Sequence, residues 1–224
     1  MSAGLDDTSV QAGGRPFDGG CTACPRLADY LADARRRYPD YHARPVPAFG
    51  DPAARLLIVG LAPGYHGANA TGRPFTGDHA GILLYRTLFE AGLASKPESV
   101  AADDDLRLLG CRITNAVRCV PPANKPSGAE VRTCNPYLVH DLGRLQPDDV
   151  VLALGRVAHE AVVRAERARQ KDLPFGHGRT HRLPSGLQLV DTYHCSRYNT
   201  QTRRLTPGMF RAVFDTATAL LGWQ

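Results

Sequence analysis

No stretch of this 224-residue chain is long and apolar enough to span a bilayer. Nor does the N-terminus carry the basic stretch and apolar run that direct secretion. Both absences lead to the expectation of a cytosolic protein with no membrane partner. Lysine is scarce as well: only Lys96, Lys125 and Lys171 stand among 27 basic residues, so arginine dominates the net charge of +5. With a pI near 9.0, that excess favours a polyanionic partner, although GC-rich coding produces the same bias in a chain rich in Ala, Gly and Pro. Internal repeats and long linkers are missing, which excludes a solenoid. The length suits one α/β domain, or at most two small ones.

What is present is a regular alternation of short apolar runs with helical patterns. Strands are predicted at Arg55–Ala62, Arg112–Val117, Asp149–Leu154 and Leu187–Thr192. Helices are predicted over Pro25–Tyr38, Ile82–Leu93, Ser127 to about Leu145, Arg156–Arg169 and Thr206–Leu221. Ser127 and Glu130 have capping-box spacing, and Thr206-Pro207 reads as an N-cap followed by proline at the first helical position. The pattern predicts a single three-layer α/β/α domain around a central, mainly parallel four-stranded sheet. Residues 1–20 are polar, Gly-rich and aperiodic, and are expected to form a flexible tail before a domain over 21–224.

Two loops carry the chemistry. One runs from Gly60-Leu-Ala-Pro-Gly64 to Thr71-Gly-Arg-Pro-Phe75-Thr-Gly-Asp78, and the other is His194-Cys-Ser-Arg197-Tyr198-Asn199. Each leaves the end of a predicted strand, where open α/β sheets bind ligands. The glycine loop is not followed by Gly-Lys-Ser/Thr, which excludes a Walker motif. His159-Glu160 lacks the spacing of His-x-Glu, and no Pro-Cys-x-x-Cys follows it, which disfavours a zinc deaminase.

Four of the six cysteines form a set: Cys21-x2-Cys24, Cys119 and Cys134, with Pro25, Pro121, Pro122 and Pro136 beside them. Thiolates at this spacing suit a structural zinc or a [4Fe–4S] cluster, and spacing does not separate the two. Cys111 reads as core, and Cys195 as structural rather than as a catalytic thiol.

With these motifs in order, the chain from Cys21 to the last helix resembles the thermophilic-type, iron–sulfur uracil-DNA glycosylases. Asn115-Ala-Val-Arg-Cys119-Val-Pro-Pro is similar to the family's strand-to-cluster segment, and Cys134 falls at the place of the fourth ligand. Leu61-Ala62 stands where family 4 enzymes carry an acidic residue. Gly-Ala-Asn69, Phe75-Thr-Gly-Asp78 and His194 to Thr202 are like family 5, or type B. The resemblance implies a structural [4Fe–4S] cluster on Cys21, Cys24, Cys119 and Cys134, and a monomer acting on DNA that contains uracil or other deaminated bases. It further implies hydrolysis of the N-glycosidic bond to start base excision repair. A non-catalytic or crosslinking binder of damaged DNA on the same scaffold is the alternative.

Glycosidic cleavage assigns the loop residues their expected roles. Phe75 offers a ring face to an extruded base, and Asn115 an amide that reads its edge. His194 offers an N–H to the departing oxygen. Asp78 is the nearest acid for the sugar cation or water, although aspartate at this position also reads as a helix cap. Gly60, Ala62 and Gly64 let the backbone approach the substrate, and Arg197, Tyr198 and Asn199 of the second loop are expected to bind it, Arg197 and Tyr198 by bracing the duplex.

Overall fold

A computed structural model describes residues 14–223. Its sheet has six strands: β1 (Phe49–Gly50), β2 (Leu56–Gly60), β3 (Cys111–Asn115), β4 (Val150–Leu154), β5 (Thr180–Arg182) and β6 (Gln188–Thr192). They lie in the order β1-β3-β2-β4-β6-β5. The inner four are parallel and are the four strands expected from the sequence. The two edge strands are antiparallel, and the sequence reading missed them. Two and three residues are too few to show an alternation, and both pair only on one side.

The inner strands are apolar on both faces because both are covered. Leu56, Ile58, Val150, Leu152 and Leu154 point into one core with helices α3 (His79–Glu90) and α7 (Pro207–Leu220). Leu57, Val59, Val151 and Ala153 point into the other, with α4 (Gly128–Leu142) and α5 (Arg156–Ala165). Adjacent residues of one strand thus serve opposite layers, as a pleat with period two requires. The remaining helices are α1 (Pro25–Arg37) and two single turns inside the motif loops, α2 (Ala68–Thr71) and α6 (Arg197–Gln201). None of the helices is long and apolar enough to cross a membrane, among the described residues.

The expected caps form. Ser127 and Glu130 make a reciprocal capping box at α4, and Thr206 accepts from the Met209 N–H at α7. Glu130 also takes both nitrogens of the Arg26 fork, at 2.7 and 2.6 Å, which ties α4 to α1. The expected tail divides: residues 1–13 lie outside the described residues, whereas residues 14–17 pack on α4. The Arg15 N–H donates to the Pro136 carbonyl at 3.1 Å, the Arg15 guanidinium lies 4.3 Å over the Tyr137 ring, and Phe17 meets the same ring edge-on.

Just past β3, Arg118 is 1% exposed and forms an ion pair with Asp141 of α4. Asp141 Oδ2 also accepts from Thr114 Oγ1 at 3.0 Å. Removing one member of a buried pair strands the other charge in the interior. Asp141→Ala is expected to lower unfolding free energy by about 3–5 kcal/mol, measured by urea denaturation. The Arg118→Met/Asp141→Leu double variant should lose far less. An Asp141→Ala loss no larger than that of the double variant would show that the pair does not hold this junction.

Candidate active site

The parallel register aligns Gly60 with Asn115 and delivers the ends of β2, β3 and β6 to one edge of the sheet. There, a cavity of about 400 Å³ is lined by Ala62, Gly64, Phe75, Asp78, Asn115, His194 and Arg197, together with Leu61, Ala80, Asn124 and Ser196. Loops separated by more than a hundred residues therefore form a single pocket. His79 Nε2 and Thr200 Oγ1 lie 3.4 Å apart and join the start of α3 to α6.

Phe75 forms one wall. It is 7% exposed and has φ +59°, a left-handed conformation that costs an aromatic residue about 1–3 kcal/mol. The neighbouring residues hold it there. Arg73 binds Ser99 and Asp104 at 2.9 and 2.7 Å, Thr76 bonds Ser99 at 2.6 Å, and the Tyr85 hydroxyl donates to the Pro74 carbonyl at 2.6 Å. The Phe75 ring lies nearly parallel to His194, with centroids 6.1 Å apart and a 29° angle. It also packs on Gly60, where a Cβ would fall 2.6 Å from Phe75 Cζ and 2.4 Å from Asn115 Oδ1. Any side chain at position 60 would push the wall and the amide apart.

Asn115 is 3% exposed at the end of β3, and its Oδ1 has no hydrogen-bond partner. A buried acceptor without a donor is costly, and this one lies against Gly60 at the end of the sheet. His194 is partly exposed to the cavity, yet burial lowers its imidazole pKa to about 4. The ring is therefore neutral at neutral pH and has one N–H to donate.

Asp78 occupies the N-cap position of α3, but its side chain caps nothing. Instead the carboxylate turns toward the glycine loop, where it accepts from the Ala68 N–H at 3.1 Å and from the Gly64 N–H. A Cβ on Gly64 would sit 2.0 Å from Asp78 Oδ1, so only glycine leaves room for this contact. Burial raises the Asp78 pKa above the usual carboxylate value, against the two backbone hydrogen bonds. The side-chain cap reading of Asp78 is thus set aside: its carboxyl group is held by backbone donors at the pocket wall.

The second loop divides in function. Arg197 lines the pocket. Tyr198 stands 70% exposed at the rim. Asn199 faces inward: its Nδ2 donates to the His194 carbonyl at 2.8 Å, so it holds the loop and does not line the cavity. Cys195 is fully buried, and burial raises its thiol pKa to about 12, which removes it as a nucleophile. Leu61, Ala80, Asn124 and Ser196 were missed. Leu61 and Ser196 lie inside the two motif loops, and Asn124 carried a signal of its own, as an asparagine closing a Pro-Pro-Ala-Asn turn where a left-handed conformation is common; its φ is +55°.

Cys21, Cys24, Cys119 and Cys134 line a second small cavity behind the pocket, between α1, α4 and the segment after β3. Arg118 donates its N–H to Cys134 Sγ at 3.3 Å, and Arg15 reaches Cys21 Sγ at 3.7 Å. Burial, then the charge of the neighbouring thiols, raises the Cys119 pKa to about 12. Four thiolates crowded in an apolar wall repel one another unless a cation lies between them, so this donor set fits a metal centre. Among the described residues, the three ligand atoms found within 4.8 Å of one another belong instead to His159, His181 and Asp191. These are bonded within the protein: His159 Nδ1 meets Asp191 at 2.8 Å, and His159 Nε2 meets the Leu173 carbonyl at 2.8 Å.

The profile of the Uracil DNA glycosylase superfamily matches residues 47–218. A type-5 uracil-DNA glycosylase of Thermus thermophilus is 51% identical over 207 residues, covering 90% of this chain and 94% of the relative. One of Pyrobaculum aerophilum is 41% identical over 206 residues, covering 90% and 89%. A type-4 enzyme of the same organism is 34% identical over 158 residues, covering 69% and 72%. With the pocket and both motif loops inside the matched region, the chain belongs to the uracil DNA glycosylase superfamily.

Proposed function

We propose that this protein is a monofunctional glycosylase that removes uracil, and other deaminated bases, from DNA by hydrolysis, acting as a cytosolic monomer. The observation that carries this reading is the single pocket in which an open carbonyl, a neutral imidazole, a buried carboxylate and an aromatic wall converge. Release of uracil from a uracil-containing oligonucleotide, scored as strand scission at the abasic site, tests it against the damaged-DNA binder.

An extruded uracil stacks on Phe75, and Asn115 Oδ1 accepts the base N3–H. As the C1′–N1 bond breaks, its electron pair moves onto the base, and the His194 N–H stabilises the oxygen that gains charge. Positive charge grows on the sugar opposite Asp78. A carboxylate that burial has deprived of water gains most from a nearby cation. Asp78 also accepts a hydrogen bond from the water that attacks C1′; the water's second proton leaves to solvent, and the base anion is protonated in turn. Gly60, Ala62 and Gly64 allow the backbone close to the substrate, while Arg197 and Tyr198 brace the duplex and Asn199 positions His194.

Cys21, Cys24, Cys119 and Cys134 hold a [4Fe–4S] cluster, which acts as a structural staple. The sulfurs share one cavity, while the described ligand atoms gathered within 4.8 Å are not theirs. Zinc would draw four sulfurs to about 2.3 Å from one centre; a cluster spreads them over four irons. Burial raises the Tyr137 pKa, so this phenol beside Cys21 stays neutral.

Three outcomes are expected. Anaerobically purified protein should be brown with about four irons per chain; one zinc and no visible absorption would refute the cluster. Asp78→Asn should cut single-turnover excision on the order of 100-fold for every base while substrate binding stays near wild type, and wild-type rates in this variant would remove Asp78 from the chemistry. Because burial lowers the His194 pKa to about 4, the neutral ring persists as pH falls through the ordinary value near 6.5. Excision should therefore show no inflection there, with its acid limb lower down, where His194 gains and Asp78 loses charge. A rate that halves near pH 6.5 would show that His194 titrates as an ordinary histidine.

A further inference from the structure

Four of the eight tyrosines gather in one place next to the pocket. Tyr38 stacks on Tyr41 with centroids 4.5 Å apart and meets Tyr65 edge-on at 6.0 Å. Tyr65 lies 5.4 Å from Tyr30 and 4.9 Å from His66, and the Tyr41 hydroxyl is 2.8 Å from His66 Nδ1. None of the roles described above uses these side chains. Tyr30, Tyr38, Tyr65 and His66 line an open groove of about 420 Å³, close to the 400 Å³ of the base pocket.

The groove and the pocket share a wall. Asn124 lines both, and it and Ala123 adopt left-handed φ of +55° and +54° in the turn that separates them. Tyr65 and His66 directly follow Gly64, so the backbone that bounds the pocket continues as the aromatic floor. Arg37 lines the groove beside Asp33, and Asp33 is paired with both Arg36 and Arg37, at 3.2 and 2.9 Å. Arg37 is the arginine on this rim; paired with Asp33, its side chain still stays 68% exposed. Tyr38 stays 38% exposed, an apolar face that the fold leaves uncovered.

Exposed aromatic faces beside an arginine are the parts of a site for unpaired nucleobases. We propose that this groove is a second nucleobase subsite, which stacks one unpaired base of the DNA while the excised base occupies the pocket. The inference rests on the reading of the pocket as the base site. Two sources offer the same ring: a nucleotide flanking the excised one, or the base left without its partner in a duplex. Either would make Tyr38 and Tyr65 hold the distorted DNA open.

The test is a cycle between protein and substrate. Uracil oligonucleotides, single-stranded and duplex, carry an abasic spacer in place of each flanking base in turn, or of the base opposite uracil. Wild-type binding should weaken between about 5- and 150-fold at one spacer position, the range that stacking of one base supplies. Tyr38→Ala, at an exposed position, should bind the unmodified substrate as weakly as wild type binds that spacer, and lose nothing further with it. Tyr38→Trp should restore the sensitivity. The spacer position that responds identifies the source of the base. Equal spacer effects in wild type and Tyr38→Ala would overturn the subsite, and so would a fall in the saturating excision rate of Tyr38→Ala, which would merge the groove with the pocket. Uracil release by wild type from the unmodified strand tests the pocket reading separately.

Discussion

Parallel pairing is the constraint from which the site follows. A strand in a parallel pair cannot return through a tight turn; it must cross over through a covering element. The inner strands β3, β2, β4 and β6 therefore all end at the same edge, and their loops are forced into one region. Pairing of Gly60 with Asn115 then sets the geometry of the pocket at single-residue precision. Shifting β3 by one residue would turn Asn115 to the opposite face of the sheet and bury its amide against the helices.

That edge is also where the fold holds its unfavourable features. Phe75 keeps a left-handed backbone, Asn115 an open carbonyl, Asp78 a buried charge and His194 a ring that resists protonation. The first three cost folding free energy, and they are held by contacts that have other roles. The network of Arg73, Ser99, Asp104 and Thr76 fixes the segment around Phe75 from behind. The glycine loop supplies backbone N–H groups to Asp78. Strain that the surroundings over-determine is a mark of pre-organisation, and here the strained Phe75 and the other three groups border one cavity.

The inner sheet and the long helices were legible because each carries many residues of one period. Residues 56–59 and 150–154 alternate between two cores, which is why they read as unbroken apolar runs. The edge strands and the single-turn helices α2 and α6 had no such redundancy, and contacts across the chain decide them. The site residues were legible as motifs, but their arrangement was not. An aspartate one residue before a helix is ordinarily its cap; only the approach of Gly64 and Ala68 shows that the carboxylate turns the other way. Asn199 sits in the same motif as Arg197 but bonds to the His194 backbone. Tyr30, Tyr38, Tyr41 and Tyr65 are scattered over thirty-six positions and share no period, so their meeting was invisible before the fold was known.

The charges of the pocket make a consistent set. In the proposed mechanism, a protonated His194 would favour the departing anion more strongly, but it would also repel a sugar cation and weaken the carboxylate's effect on it. Burial removes this conflict by keeping the ring neutral, so that it acts through a directed N–H and adds no net charge. The same burial works against the charged form of Asp78, and the N–H groups of Ala68 and Gly64 oppose it; in the proposed mechanism its poorly hydrated carboxylate faces the region where positive charge arises. A polar, open pocket would protonate His194 more readily and shield Asp78. On the proposed reading, the apolar wall of Phe75, Leu61 and Ala62 therefore does more than hold a base: its burial keeps one group neutral and leaves the other poorly hydrated.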